Sequence, residues 1–203
     1  MKTRIVFLIF LLLFAMNAGA QQYRFYVGGN LSNVTSPPPG FSANSNLGYQ
    51  AGADVRFGKN RFYLQPGIQY ASTRISLANP LDKKSNLRVS GFKIPVMVGW
   101  SMSYSPSCSL RFFTGPSFMA ITNVKHTDMN DPAYVLTDKN YHDVEWAWHL
   151  GTGLDWRFLF VDLGFQKGLT YVFTGASNGK SYLFYTNVGI RFLAMVNHKK
   201  KEH

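Results

Sequence analysis

The stretch Val144-Glu145-Trp146-Ala147-Trp148-His149-Leu150-Gly151-Thr152-Gly153-Leu154-Asp155-Trp156-Arg157-Phe158 carries the reading of the fold. Its even positions hold Val144, Trp146, Trp148, Leu150, Thr152, Leu154, Trp156 and Phe158. Its odd positions hold Glu145, Ala147, His149, Gly151, Gly153, Asp155 and Arg157. Side chains alternate between two faces along a pleated strand, whereas a 3.6-residue helical period would mix the two sets. The segment is therefore predicted to be a strand with one apolar and one polar face.

The same split recurs along the chain. Over 47–57 the apolar set is Leu47, Tyr49, Ala51, Ala53, Val55 and Phe57, opposite Gln50, Asp54 and Arg56. Over 61–73 it is Phe62, Leu64, Pro66, Ile68 and Tyr70, opposite Arg61, Gln65 and Gln69. Over 181–192 it is Tyr182, Phe184, Thr186, Val188, Ile190 and Phe192, opposite Tyr185, Asn187, Gly189 and Arg191. Residues 23–32, 87–104, 108–122 and 159–169 complete a set of eight strands, less cleanly. Pro95 and Pro116 lie inside two of them. A proline has no N–H to give a ladder, so bulges or register changes are expected at both.

The connections alternate in length. Residues 58–60, residues 105–107 and the bend around Phe158 and Leu159 are tight turns. Residues 33–46, 74–86, 123–143 and 171–180 are long, polar and rich in Pro, Gly, Asn or Ser. Short turns at one end and long loops at the other are what a transmembrane β-barrel shows.

The composition of the 203 residues fits this reading. Hydrophobic residues make up 46% and aromatic ones 16%, against 15% charged, which excludes a disordered chain and a coiled coil. The single cysteine, Cys108, excludes an intramolecular disulfide and a cysteine-based zinc site. Lys2 and Arg4 precede an apolar run from Ile5 to Ala15, and Ala18-Gly19-Ala20 follows it. That is the pattern of a signal peptide over 1–20, with cleavage near Ala20. The apolar run is shorter than the roughly 20 residues of a spanning helix. The barrel is then expected over 21–192, with a basic periplasmic tail over 193–203.

The charges decide which face meets what. An eight-stranded barrel can also be a soluble, lipocalin-like carrier, with an apolar lumen and a polar exterior. Here Arg24, Asp54, Arg56, Arg61, Arg111, Asp155, Arg157, Asp162 and Arg191 all fall near the tight-turn ends of their strands, opposite the apolar set. They are expected to converge at one level of the lumen as a structural network of paired charges. Tyr23, Phe25, Phe57, Phe62, Phe112, Trp156, Phe158 and Phe192 occupy the other face at the same height. Rings in that position form a periplasmic aromatic girdle at the headgroups. A soluble barrel showing water Trp146, Trp148 and Trp156 on one stripe would be poorly served. The expected fold is an all-β, eight-stranded antiparallel transmembrane up-and-down β-barrel.

Several stretches also resemble a known family. Phe92-Lys93-Ile94-Pro95-Val96, Phe113-Thr114-Gly115-Pro116, and Asp162-Leu163-Gly164-Phe165 running on to Gly168-Leu169-Thr170 are similar to the PorT-like outer-membrane β-barrel proteins. These share the eight-stranded architecture of OmpA and OmpX. The strand Asn187-Val188-Gly189-Ile190-Arg191-Phe192 resembles the C-terminal signal read by the barrel-assembly machinery, although Lys199-Lys200-Lys201-Glu202-His203 ends a further tail. The resemblance implies the outer membrane of a Gram-negative cell envelope, contact with outer-membrane lipid, and the assembly machinery as a partner during insertion. It also raises a part in a secretion or assembly machine.

No chemistry stands out. Glu145 and His149 share a face but lie four residues apart, about 13 Å along a strand, too far for one metal. His126, Asp128, Asp131, Asp138, His142 and Asp143 match no calcium-loop spacing. The P-loop and the dinucleotide fingerprint are both absent from the sequence. Lipid A-modifying barrels use Ser and His facing the bilayer, whereas His149 is expected in the lumen. Catalytic residues, cofactor and metal are accordingly expected to be none. The +11 net charge raises nucleic acid, but basic and aromatic residues occupy opposite faces and cannot make one stacking surface, so none is expected. The expected role is a structural or interaction protein binding a partner through its extracellular loops, such as those at 36–41 and 123–143.

Overall fold

In lipid every backbone polar group needs an internal partner, so a sheet crossing a membrane has to close on itself. The computed structural model, which describes residues 21–34, 42–58, 61–78, 84–105, 107–127, 144–171 and 180–193, does so. Its strands are β1 (Gln21–Val34), β2 (Ser42–Phe57), β3 (Phe62–Ala78), β4 (Lys84–Ser105), β5 (Cys108–Thr127), β6 (Val144–Trp156), β7 (Leu159–Tyr171) and β8 (Lys180–Leu193). Each is antiparallel to the next, and β8 returns to β1, with Gln22 opposite Leu193 and Val34 opposite Ser181.

Period-two burial follows the sequence pattern. In β6 Ala147, His149, Gly153 and Asp155 are buried, while Trp146, Trp148, Leu150, Leu154 and Trp156 are exposed. The outer face carries its rings in cross-strand pairs. Trp100 stacks on Phe112 with centroids 6.2 Å apart, Phe118 meets Trp146 edge-on at 5.3 Å, and Phe165 meets Phe184 at 4.9 Å. Apolar residues as open as Val27 (66%), Leu47 (68%) and Leu150 (64%) make sense only against lipid.

The lumen is filled. Tyr63, Met97, Phe113, Leu183 and Tyr185 form a buried apolar cluster across its middle. A lumen this narrow takes a large side chain only where the facing one is small. Tyr63 lies opposite Gly99 and Tyr185 opposite Gly164, and a Cβ on either glycine would fall on the ring.

Three local expectations need correction. Neither Pro95 nor Pro116 shifts the register: Pro95 pairs with Ser117 and Pro116 with Trp148, in line with their neighbours. Proline's fixed φ lies within the extended region, so it withholds one N–H without displacing the strand. The irregularities fall instead between Asn46 and Tyr49, Ser90 and Gly91, Ser103 and Ser105, and Lys167 and Tyr171. The strands also run further toward the loops than apolar alternation reaches, with β3, β4 and β5 spanning 17, 22 and 20 residues. Backbone pairing continues where neither face needs burial, so 74–78, 84–86 and 123–127 are strand despite their polarity. Leu193, expected to open the tail, belongs to β8. The predicted signal peptide, the remaining tail, residues 36–41 and most of the third loop lie outside the described residues.

Gly164→Ala is expected to cost about 1–3 kcal/mol by pushing Tyr185 out of place. Gly29→Ala, whose added Cβ would meet only ordinary contacts on the outer face, is the control and should change little. Urea unfolding in detergent, followed by tryptophan fluorescence, measures both.

Candidate functional site: the charged end of the lumen

Six of the eight strands send a charged side chain into the turn end of the lumen. Arg24 comes from β1, Asp54 and Arg56 from β2, Arg111 from β5, Asp155 from β6, Asp162 from β7 and Arg191 from β8. Their parity puts them inside, and the barrel's curvature brings strands distant in sequence within reach.

The seven groups form one continuous chain. Arg24 Nη1 lies 3.6 Å from Asp54 Oδ1, and its Nη2 donates to Asp162 Oδ2 at 2.6 Å. Arg111 Nη2 donates to the other Asp162 oxygen at 2.5 Å, while its Nε donates to Asp155 Oδ1 at 2.8 Å. Asp155 Oδ2 then accepts from Arg56 Nη1 and from Arg191 Nη1, each at 3.1 Å. Arg24, Arg111 and Asp155 are fully buried. Isolated, each charge would cost several kcal/mol to desolvate, so every member depends on its neighbours.

Neutral groups complete the layer. Gln65 Nε2 donates to Asp54 Oδ2 at 3.0 Å, and its Oε1 accepts from Arg56 Nε at 3.3 Å. The Phe160 ring lies under Arg24, with the guanidinium carbon 3.7 Å from its centroid. Arg56 covers the Tyr63 ring at 4.4 Å. Such stacking suits guanidinium, which is planar and weakly hydrated. Gly153 stands beside the Arg111–Asp162 pair, and any Cβ there would collide with it.

Arg61 and Arg157, expected in this layer, are not in it. Both are exposed in turns, where strand alternation no longer aims the side chain. Arg61 precedes β3, and its carbonyl accepts from Ser101 N–H at 2.7 Å. Arg157 occupies the tight turn between β6 and β7 with φ 54°, a left-handed conformation typical of two-residue hairpins. Its carbonyl nevertheless serves the layer by accepting from Arg191 Nε at 2.7 Å.

Seven of the eight girdle aromatics, Tyr23, Phe25, Phe62, Phe112, Trp156, Phe158 and Phe192, are exposed. Phe57, at the end of β2 and opposite Leu64, is covered instead. Trp100 completes the row, paired between Phe62 and Phe112. Its parity with Phe92 and Ile94 was the available signal.

A second polar layer lies nearer the loops. Lys93 Nζ donates to Gln166 Oε1 at 2.5 Å, and Gln50 Nε2 donates to Asn187 Oδ1 at 2.6 Å. His149 Nε2 lies 2.8 Å from Ser117 Oγ, and its Nδ1 3.4 Å from the Tyr185 hydroxyl. Glu145 accepts from Ser181. Glu145 and His149 thus take separate partners, and among the described residues no group of His, Cys, Asp and Glu could hold a metal. Lys93 was readable as inward from its parity with Pro95 and Met97. Its partner on β7 was not.

A closed antiparallel barrel with an apolar exterior and a charged, filled lumen defines an integral outer-membrane barrel. The chain matches the family described as outer membrane protein beta-barrel domain over residues 17–174, and it belongs to that family. Among solved structures it is similar to the outer membrane protein OprG from Pseudomonas aeruginosa. There the identity is 10% and the TM-score 0.55, over 86% of this chain and 97% of that one. Neisserial surface protein A, NspA, matches at 9% identity over 84% and 97% of the two chains, with a TM-score of 0.49. Ail of Yersinia pestis, in complex with the heparin analogue sucrose octasulfate, matches at 11% identity over 85% and 99%, with a TM-score of 0.44. No curated protein sequence matches the chain.

Asp155→Asn should destabilise the barrel by about 3 kcal/mol or more, because three guanidiniums lose their shared anion. Arg191→Gln, at the less buried rim, should cost clearly less. Heat-modifiable gel migration together with urea titration in lipid vesicles ranks the two.

Proposed function

We propose that this protein is a non-enzymatic interaction barrel of the outer membrane. It is anchored by a filled lumen and binds a partner through its loop end. The observation that carries the reading is the plug: buried charges, Tyr63, Met97, Phe113 and Tyr185 occupy the space a solute would need. With the interior used for structure, function falls to surfaces outside the membrane. The orientation that fits is short turns in the periplasm and loops outside, after signal-peptide cleavage near Ala20.

The loop end offers a specific feature. Arg74 stands directly opposite Arg88 across β3 and β4. Like charges facing across strands destabilise a sheet, and an acidic partner surface would relieve them. A part in a PorT-like secretion or assembly machine is the second reading, resting on the stretches 92–96 and 113–116. Outer-membrane lipid and, during insertion, the barrel-assembly machinery complete the proposed partners. Nucleic acid has no place among them, and a lipid A-modifying activity is the distant third.

Two experiments test this. Planar-bilayer recordings of the folded protein should show no large, porin-like conductance, and a steady large pore would overturn the plug. Crosslinking and co-purification from native membranes should recover a partner through the loop end. Recovery with secretion-machine subunits selects the second reading, and loss of a lipid A modification on deletion would overturn the non-enzymatic one.

A further inference from the structure

The turn end of the lumen opens into a cavity of about 390 Å³. Its walls include Gln22, Arg56, Arg191 and the hydroxyl-bearing Ser101, Ser103 and Ser109. This is within the size range of small-ligand sites, and unlike the outer grooves it is lined by hydrogen-bonding groups.

The charge balance here is uneven. Of the seven groups in the network four are arginines and three aspartates, which leaves one positive charge over. The excess faces the cavity. Asp155, the carboxylate on this wall, already receives Arg56, Arg111 and Arg191, so both its oxygens are engaged. Arg56 is 6% exposed, and its Nη2 has no hydrogen-bond partner among the described residues. A buried guanidinium N–H left open costs about 1–3 kcal/mol, more when charged, unless something from outside satisfies it.

We propose that this cavity binds the oxyanion head of a small ligand, a carboxylate or a phosphate, between Arg56 and Arg191. The serine hydroxyls and Gln22 hold the groups attached to it. Arg56 Nε and Nη1 already donate to Gln65, Gln22 and Asp155, so Arg56 offers Nη2 alone while the rim guanidinium of Arg191 donates from the other side. The low-dielectric wall strengthens each charge-assisted bond. The site lies at the opposite end from the proposed loop surface, so the two readings stand or fall separately.

Cys108, the chain's single cysteine, lines the same cavity and reports its occupancy. The test is the rate at which neutral iodoacetamide alkylates Cys108 in the full chain folded in detergent. The probes are N-acetylglycine, its amide and inorganic phosphate, with chloride at matched ionic strength. N-acetylglycine or phosphate should slow labelling saturably, while chloride and the amide should not. Protection by N-acetylglycine assigns a carboxylate head, and protection by phosphate alone assigns a phosphate head. Arg56→Gln should raise the half-protecting concentration about tenfold or more, as loss of one charge-assisted bond requires. Arg61→Gln, outside the cavity, should leave it unchanged. If Arg56→Gln does not fold, Arg191→Gln at the rim carries the comparison. Unchanged labelling with both anions, equal protection by chloride, or full protection retained in a folded arginine variant would overturn the proposal.

Discussion

Closure of the sheet is the constraint on which the rest depends. The ladder from Gln22 opposite Leu193 to Val34 opposite Ser181 removes the last open strand edges. Without it, a row of unpaired N–H and C=O groups would face hydrocarbon, at several kcal/mol for each group. Once eight strands close, the two faces of every strand lie in different media. One meets lipid, and the other a lumen only as wide as its own side chains.

That narrow lumen explains the polar interior. Arg24, Arg111 and Asp155 are removed from water on all sides, and they persist because each guanidinium has a carboxylate within about hydrogen-bond reach. The aromatic bodies of Phe160 and Tyr63 supply the remaining contact surface. Such a network is not evidence of stability by itself, since a well-packed apolar set could do as well. What it supplies is registry: Arg24 meets Asp162 across 138 residues only when the barrel has closed in one register.

The two ends of the barrel then differ in what they can offer. The loop end extends β3, β4 and β5 beyond what apolar alternation requires, and places Arg74 opposite Arg88. The turn end has short connections and a serine-lined cavity under Arg56 and Arg191. The middle is blocked by Tyr63, Met97 and Phe113. The molecule thus presents two separate surfaces rather than one path between them.

Most of the fold was legible in the sequence, because a period of two is a direct consequence of the pleat. Val144 through Trp156 declares its two faces without help from any other segment, and so the barrel, its exterior belt and the inward parity of Arg24, Asp54, Arg111 and Asp162 were readable. Parity fails where the pleat ends: Arg61 and Arg157 follow it on paper and leave the lumen in the structure, the latter through its left-handed φ. The burial of Phe57, at the end of β2, likewise departs from its parity. The prolines leave the register unshifted because a missing N–H produces an irregularity only if the neighbouring ladder cannot hold the strand in place. Which arginine meets which aspartate, that Lys93 finds Gln166, and that a cavity remains beneath Arg56 depend on register and closure. Those are relations between strands, and only the closed barrel decides them.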